Sequence, residues 1–128
     1  MGIGKQAKIL SRQQIDMISD YLLSKRNGIR NLAIFLLSVK AGLRAKEISA
    51  LKWSMLLTSD GNLGEEIHLT NDASKGSSGG RVIPINQTLQ KALLNLFVQE
   101  ETNNRLFNSH TDFVVRTERQ SSTTVVGN

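Results

Sequence analysis

Cysteine is missing from all 128 residues. That excludes a disulfide scaffold and every thiolate metal site. Histidine occurs only as His68 and His110. A zinc site would then rest almost wholly on carboxylates, which is poor zinc chemistry, and no metal centre is expected. Long apolar runs are missing too. The longest stretch, Leu32 to Val39, is broken by Ser38 and falls far short of the roughly 20 residues a bilayer crossing needs. The opening Met1-Gly2-Ile3-Gly4-Lys5 lacks the apolar core of a signal peptide. A soluble cytoplasmic chain with no membrane partner is the expectation.

What is present fits a folded domain. Hydrophobic residues make up 39% and charged residues 21%, which is not the balance of a disordered chain. The length suits one domain. Residues 1–9 read as a basic lead-in carrying Lys5 and Lys8, and 10–128 as the folded unit. Sixteen basic residues against 11 acidic give a net charge of +5. That suits an acidic partner such as nucleic acid without requiring one.

Helical signals come first. Ser11 and Gln14 form a capping box, with Leu10 and Ile15 placed as its hydrophobic staple. Ile15, Ile18 and Leu22 recur at helical spacing, with Met17 and Tyr21 beside them on the apolar side. Asn27-Gly28 stops this helix. A second runs from about Arg30 to Ala41, and its wide stripe of Leu32, Phe35, Leu36 and Val39 marks it as central. Gly42 fits the position just past its end. A third, short helix covers about Ala45 to Leu51.

The pattern then changes. Lys52 to Leu57 reads as a strand, and Ser59-Asp60-Gly61-Asn62 as a turn. Residues 66–70 and 81–85 read as two strands of a hairpin, joined by a Gly- and Ser-rich tip at 71–80 that holds Lys75. Pro84, the only proline, marks an edge strand. A last helix runs from near Asn86 to about Gln99 on Leu89, Leu93, Leu96 and Phe97. Leu106-Phe107 and Phe113-Val114-Val115 are short apolar runs, and Ser121 to Val126 reads as the start of a further helix. The fold class is α+β: a mostly helical domain with a small antiparallel sheet.

Several motifs fail on context. Gly2-x-Gly4-x-x-Ala7 matches a dinucleotide fingerprint by letters but follows no strand. No phosphate-binding P-loop occurs, and Gly76 to Gly80 is better explained as a loop tip. His68 alternates with apolar neighbours and faces solvent, and His110 lies in a loop. Neither belongs to a catalytic triad.

One constellation survives. Arg44 stands at the junction of two helices, where a side chain leaves the core. Glu47, one turn later, is placed to orient its guanidinium. Lys75 sits in the hairpin tip, and Arg81 closes the hairpin. A planar arginine fork takes two phosphate oxygens, and a lysine adds a mobile charge that also donates a proton. Together they suit charge stabilisation at a phosphoryl centre. From the residues alone, an ordinary surface ion pair and a solvated loop lysine remain the alternative.

Gly42-Leu43-Arg44, Glu47, Leu51, Lys75-Gly76 and Arg81-Val82-Ile83-Pro84 occur in an order and spacing that resembles the N-terminal part of the catalytic domain of tyrosine recombinases, the phage integrase family. The resemblance covers roughly residues 10 to 126. It implies DNA strand transfer without metal or nucleotide cofactor, through a covalent phosphotyrosyl link. Arg44 matches the arginine that clamps the scissile phosphate, and Glu47 its acidic support. Lys75 matches the lysine that protonates the leaving 5′ oxygen. Lys46 and Arg81 are further candidate DNA contacts.

The match stops there. Neither His68 nor His110 begins a His-x-x-Arg element, and the sole tyrosine, Tyr21, reads as a packing residue of the first helix. No nucleophile is assigned. The expectation is a truncated recombinase domain that binds double-stranded DNA phosphates without cleaving alone, and that self-associates through an uncovered apolar face. The alternatives are a non-enzymatic nucleic-acid-binding module and a basic α+β interaction protein.

Overall fold

The computed structural model describes residues 10–70 and 80–116. The basic lead-in, the Lys75 tip and the helix start at Ser121 lie outside the described residues. The first helix, α1 (Arg12–Leu23), begins at the expected box. Ser11 Oγ accepts from the Gln14 amide at 3.1 Å, and Gln14 Oε1 accepts from the Ser11 amide at 2.8 Å. Two otherwise unpaired donors of the first turn are thereby satisfied.

The apolar side of α1 is narrower than its spacing implies. Ile15 is buried and Ile18 and Leu22 are half-buried, but Met17 is 67% and Tyr21 60% exposed. The reason is packing: among the described elements α1 lies against α2 alone, so only one stripe is covered. Tyr21 instead carries the Lys25 ammonium over its ring, 5.0 Å from the centroid.

The second helix, α2 (Gly28–Val39), starts before Arg30 because Asn27 takes a left-handed conformation (φ 58°) and turns the chain straight into it. Gly28 permits the close approach. A Cβ there would sit 2.6 Å from the Leu22 carbonyl oxygen. Leu32, Ala33, Leu36 and Leu37 are buried, and α2 packs on α1, α3 and α4, the central place its wide stripe implies. Of the expected stripe, Phe35 is only half-buried and Val39, on the last turn, is exposed. Gly42, with φ 71°, reverses the chain past the helix end. The Leu43 amide then donates back to the Leu37 carbonyl at 3.1 Å.

Next comes α3 (Ala45–Ala50). The expected strand at Lys52–Leu57 is absent. A 3₁₀ turn at Trp53–Met55 takes its place, flanked by single bridges pairing Lys52 with Phe113 and Leu57 with Leu63. Met55 and Leu56 are neighbours and both buried. A strand would send them to opposite faces, and a tight helical turn does not.

Strand β1 (Glu66–Leu69) pairs antiparallel with β2 (Arg81–Pro84), Glu66 opposite Pro84 and Leu69 opposite Arg81. The Ile85 amide donates to the Glu65 carbonyl at 2.9 Å. By alternation, Ile83 and Arg81 also face β1 with their backbone groups, while Val82 and Pro84 face outward. The proline thus removes a donor that no ladder bond needed, as the edge-strand reading required.

Helix α4 (Gln87–Asn103) is capped by Asn86, whose Oδ1 accepts from the Leu89 amide at 2.8 Å. It lies against α2 and buries Leu89, Leu93, Leu96 and Phe97. Residues 104–116 then fold back over the core. The Trp53 amide donates to the Asp112 carbonyl at 3.1 Å, and the Val114 amide to that of Leu51 at 2.9 Å. At the end of this segment, Arg116 Nη1 lies 3.3 Å from Glu100 Oε1, and its carbonyl accepts from Arg30 Nη1 at 3.0 Å. The chain is a helical domain with a two-stranded antiparallel sheet, of the α+β class.

Candidate nucleic-acid interface

Arg44 is the residue just before α3, in extended backbone conformation (φ −83°, ψ 159°). The reversal at Gly42 aims it out of the α2–α3 corner, while Leu43 beside it is buried. Its side chain is exposed. No described residue forms a hydrogen bond or ion pair with its guanidinium.

Glu47 does not hold that guanidinium. Its Oε1 accepts from the backbone amide of Arg44 at 2.9 Å. Its Oε2 accepts from Nη2 of Arg81 at 2.8 Å. The first contact is half of a capping box, with the acidic side chain three residues past the cap reaching back to the cap amide. The second crosses 34 residues and ties the hairpin to α3. Glu47 is well covered, its side chain 13% exposed against 47% for Arg81. One carboxylate therefore anchors the main chain of one arginine and the side chain of another.

The structure thus brings Arg44, Glu47 and Arg81 together, with exposed Lys46 on the first turn of α3. Lys75 lies outside the described residues, between strands whose Leu69–Arg81 end is the end tied to Glu47. His68 is exposed as expected, with Nε2 3.4 Å from Glu66 Oε1. His110 is exposed in a loop, its amide donating to Asn108 Oδ1 at 2.8 Å. The role of Arg81 as partner of Glu47 was missed in the sequence. The spacing of Arg44 and Glu47 carried a capping signal, but nothing local announces a contact over 34 positions.

An open groove of about 1090 Å³ lies at the other end of the hairpin, lined by Leu57, Gly64, Glu66, His68, Pro84 and Gln90 among others. None of Arg44, Glu47 and Arg81 borders it. The arginines stand on open surface, a shape suited to an extended polyanion and not to an enclosed small molecule. Among the described residues no three His, Asp or Glu side chains cluster as a metal site. No described helix is long and apolar enough to cross a membrane.

No curated protein and no solved structure matches the chain. The family model for the phage integrase family does match, over residues 8–127. With nearly the whole chain matched, the chain belongs to the phage integrase family, whose work is site-specific DNA recombination.

Proposed function

We propose that this chain grips the phosphate backbone of double-stranded DNA, with Arg44 as the phosphate clamp. The observation that carries this reading is the state of Arg44. Its guanidinium is exposed and unpaired among the described residues, while its main chain is fixed by Glu47. A cation held in place but left unsatisfied is prepared for an anion and loses little on binding it. Two guanidinium N–H groups fit two non-bridging phosphate oxygens.

Lys75 supplies the second charge from the segment between the strands. In strand transfer it would protonate the 5′ oxygen as that oxygen leaves phosphorus. Lys46 adds a phosphate contact from α3. Tyr21 is no nucleophile for this site. It sits where the end of α1 abuts Gly28 at the start of α2, whereas Arg44 follows the other end of α2. At 1.5 Å per residue the helix between them spans roughly 18 Å. The chain therefore binds DNA without cleaving it alone, and the reading needs no metal or nucleotide cofactor.

The test is a fluorescence-anisotropy titration of duplex DNA at two salt concentrations. Wild type is compared with the Arg44→Ala/Lys75→Ala variant. Binding should weaken with salt, and the variant should lose affinity and flatten the log–log salt slope by about 0.9 per phosphate contact removed. Equal affinity and slope in both proteins would mean diffuse charge and no phosphate clamp.

A further inference from the structure

We propose that Arg81 is a positioning residue for Arg44, acting through the Glu47 carboxylate that both contact. The inference rests on the phosphate-clamp reading of Arg44. Glu47 is mostly covered, and a covered carboxylate demands a cation. Among the described residues, Arg81 is the only side chain that pairs with it. Arg44 lies three residues before Glu47, a spacing at which side chains of a helical turn reach each other. Without Arg81, the Arg44 guanidinium is the cation at hand. It folds back onto Glu47 and is withdrawn from solvent and from phosphate.

Arg81 prevents this in two ways. Its Nη2 occupies Oε2 at 2.8 Å, so the charge of Glu47 is already compensated. It also fixes the carboxylate plane, leaving Oε1 aimed at the Arg44 amide at 2.9 Å. That bond holds the extended backbone from which the Arg44 side chain departs. A single carboxylate then keeps one arginine bound so that the other stays free. The role differs from a direct phosphate contact by Arg81, which its partial exposure alone would suggest.

A double-mutant cycle separates the two. Arg81→Gln is made in wild type and in Arg44→Ala, and duplex DNA affinity is measured by anisotropy at fixed salt. A positioning role weakens binding about tenfold in wild type and less than about twofold in Arg44→Ala, because the residue being positioned is already gone. Equal weakening in both backgrounds means a direct contact and overturns the proposal. Arg81→Lys, which keeps a cation on Glu47, should restore most of the wild-type affinity.

A second readout needs no DNA. In NMR spectra of the free protein, Arg81→Gln should shift the Arg44 Nε–H and amide signals and speed exchange of that amide severalfold. Amides of α2 and α4 should stay unchanged. Arg44 signals that do not move overturn the proposal. Failure of the wild-type chain to bind DNA would refute the phosphate-clamp reading, and the Arg44 signals would still decide whether Arg81 positions that residue.

Discussion

Trp53 meets Phe97 edge to face, with ring centroids 5.0 Å apart and planes at 66°. Phe107 closes a trio, 6.3 Å from Trp53 and 5.7 Å from Phe97. Trp53 is fully buried, and its Nε1–H has no hydrogen-bond partner among the described residues. Two effects of opposite sign therefore meet in one side chain. Ring packing stabilises, while the unpaired N–H costs about 1–3 kcal/mol. Trp53→Ala should destabilise by about 3–5 kcal/mol. Trp53→Phe keeps an aromatic ring and removes the unpaired donor, so it should stay within about 1.5 kcal/mol of wild type. Urea unfolding followed by far-UV circular dichroism measures both. Equal losses in the two variants would mean that a smaller aromatic ring recovers none of the packing of the indole.

Gly28→Ala is a test of the α1–α2 corner. Alanine normally favours a helix by about 0.5–1 kcal/mol over glycine. Here the new Cβ would meet backbone atoms, the Leu22 oxygen at 2.6 Å and the Leu23 Cα at 2.8 Å. Backbone cannot step aside as a flexible side chain can, so the sign should reverse to a loss of about 1–3 kcal/mol. The urea midpoint should fall with an unchanged slope. A midpoint at or above that of wild type would show that the corner opens freely.

The segment at 104–116 should be released by loss of its end clamp. Arg116 and Glu100 are 19% and 17% exposed, so their contact is mostly shielded from water. Arg116→Met keeps the apolar stem and removes the charge. It should cost about 1–2 kcal/mol, between the values of exposed and buried pairs. Hydrogen exchange at the Val114 amide, which bonds to Leu51, should accelerate more than exchange at the α4 core. Uniform acceleration would mean that the segment opens only with the whole domain.

Arg44 and Glu47 should part company in stability. Arg44→Ala removes a guanidinium that no described residue holds, and the melt should move by less than about 0.5 kcal/mol. Glu47→Gln breaks the ion pair to Arg81 and weakens the acceptor for the Arg44 amide. Its cost should be about 1 kcal/mol. Thermal melts of the two variants side by side check this. A larger loss for Arg44→Ala would give that side chain a structural role.

Local chemistry made much of this fold readable. The capping box at Ser11 and Gln14, the wide stripe of α2 and the alternation of β1 each depend on neighbours a few residues apart. Lys52–Leu57 misled because apolar content alone does not separate a strand from a 3₁₀ turn. Consecutive burial at Met55 and Leu56 decides it, and that depends on the rest of the fold. Tyr21 misled for a similar reason, since its exposure follows from α1 having a single neighbour among the described elements. At the candidate site, the residue types were legible but the wiring was not. The bond from Arg81 to Glu47 spans 34 positions, and that from Arg30 to the Arg116 carbonyl spans 86. Contacts at such separations leave no periodic trace.

The outward-facing proline of β2 has a consequence for solubility. Val82 beside it is 57% exposed, and among the described residues the outer edge of β2 has no partner, a flank that invites a strand from another molecule. A visiting strand bonds to alternate residues, here Val82 and Pro84. It would find a donor at Val82 and none at Pro84, so its ladder would lapse after one rung. The outer edge of β2 thus carries its own stop against growth into a larger sheet.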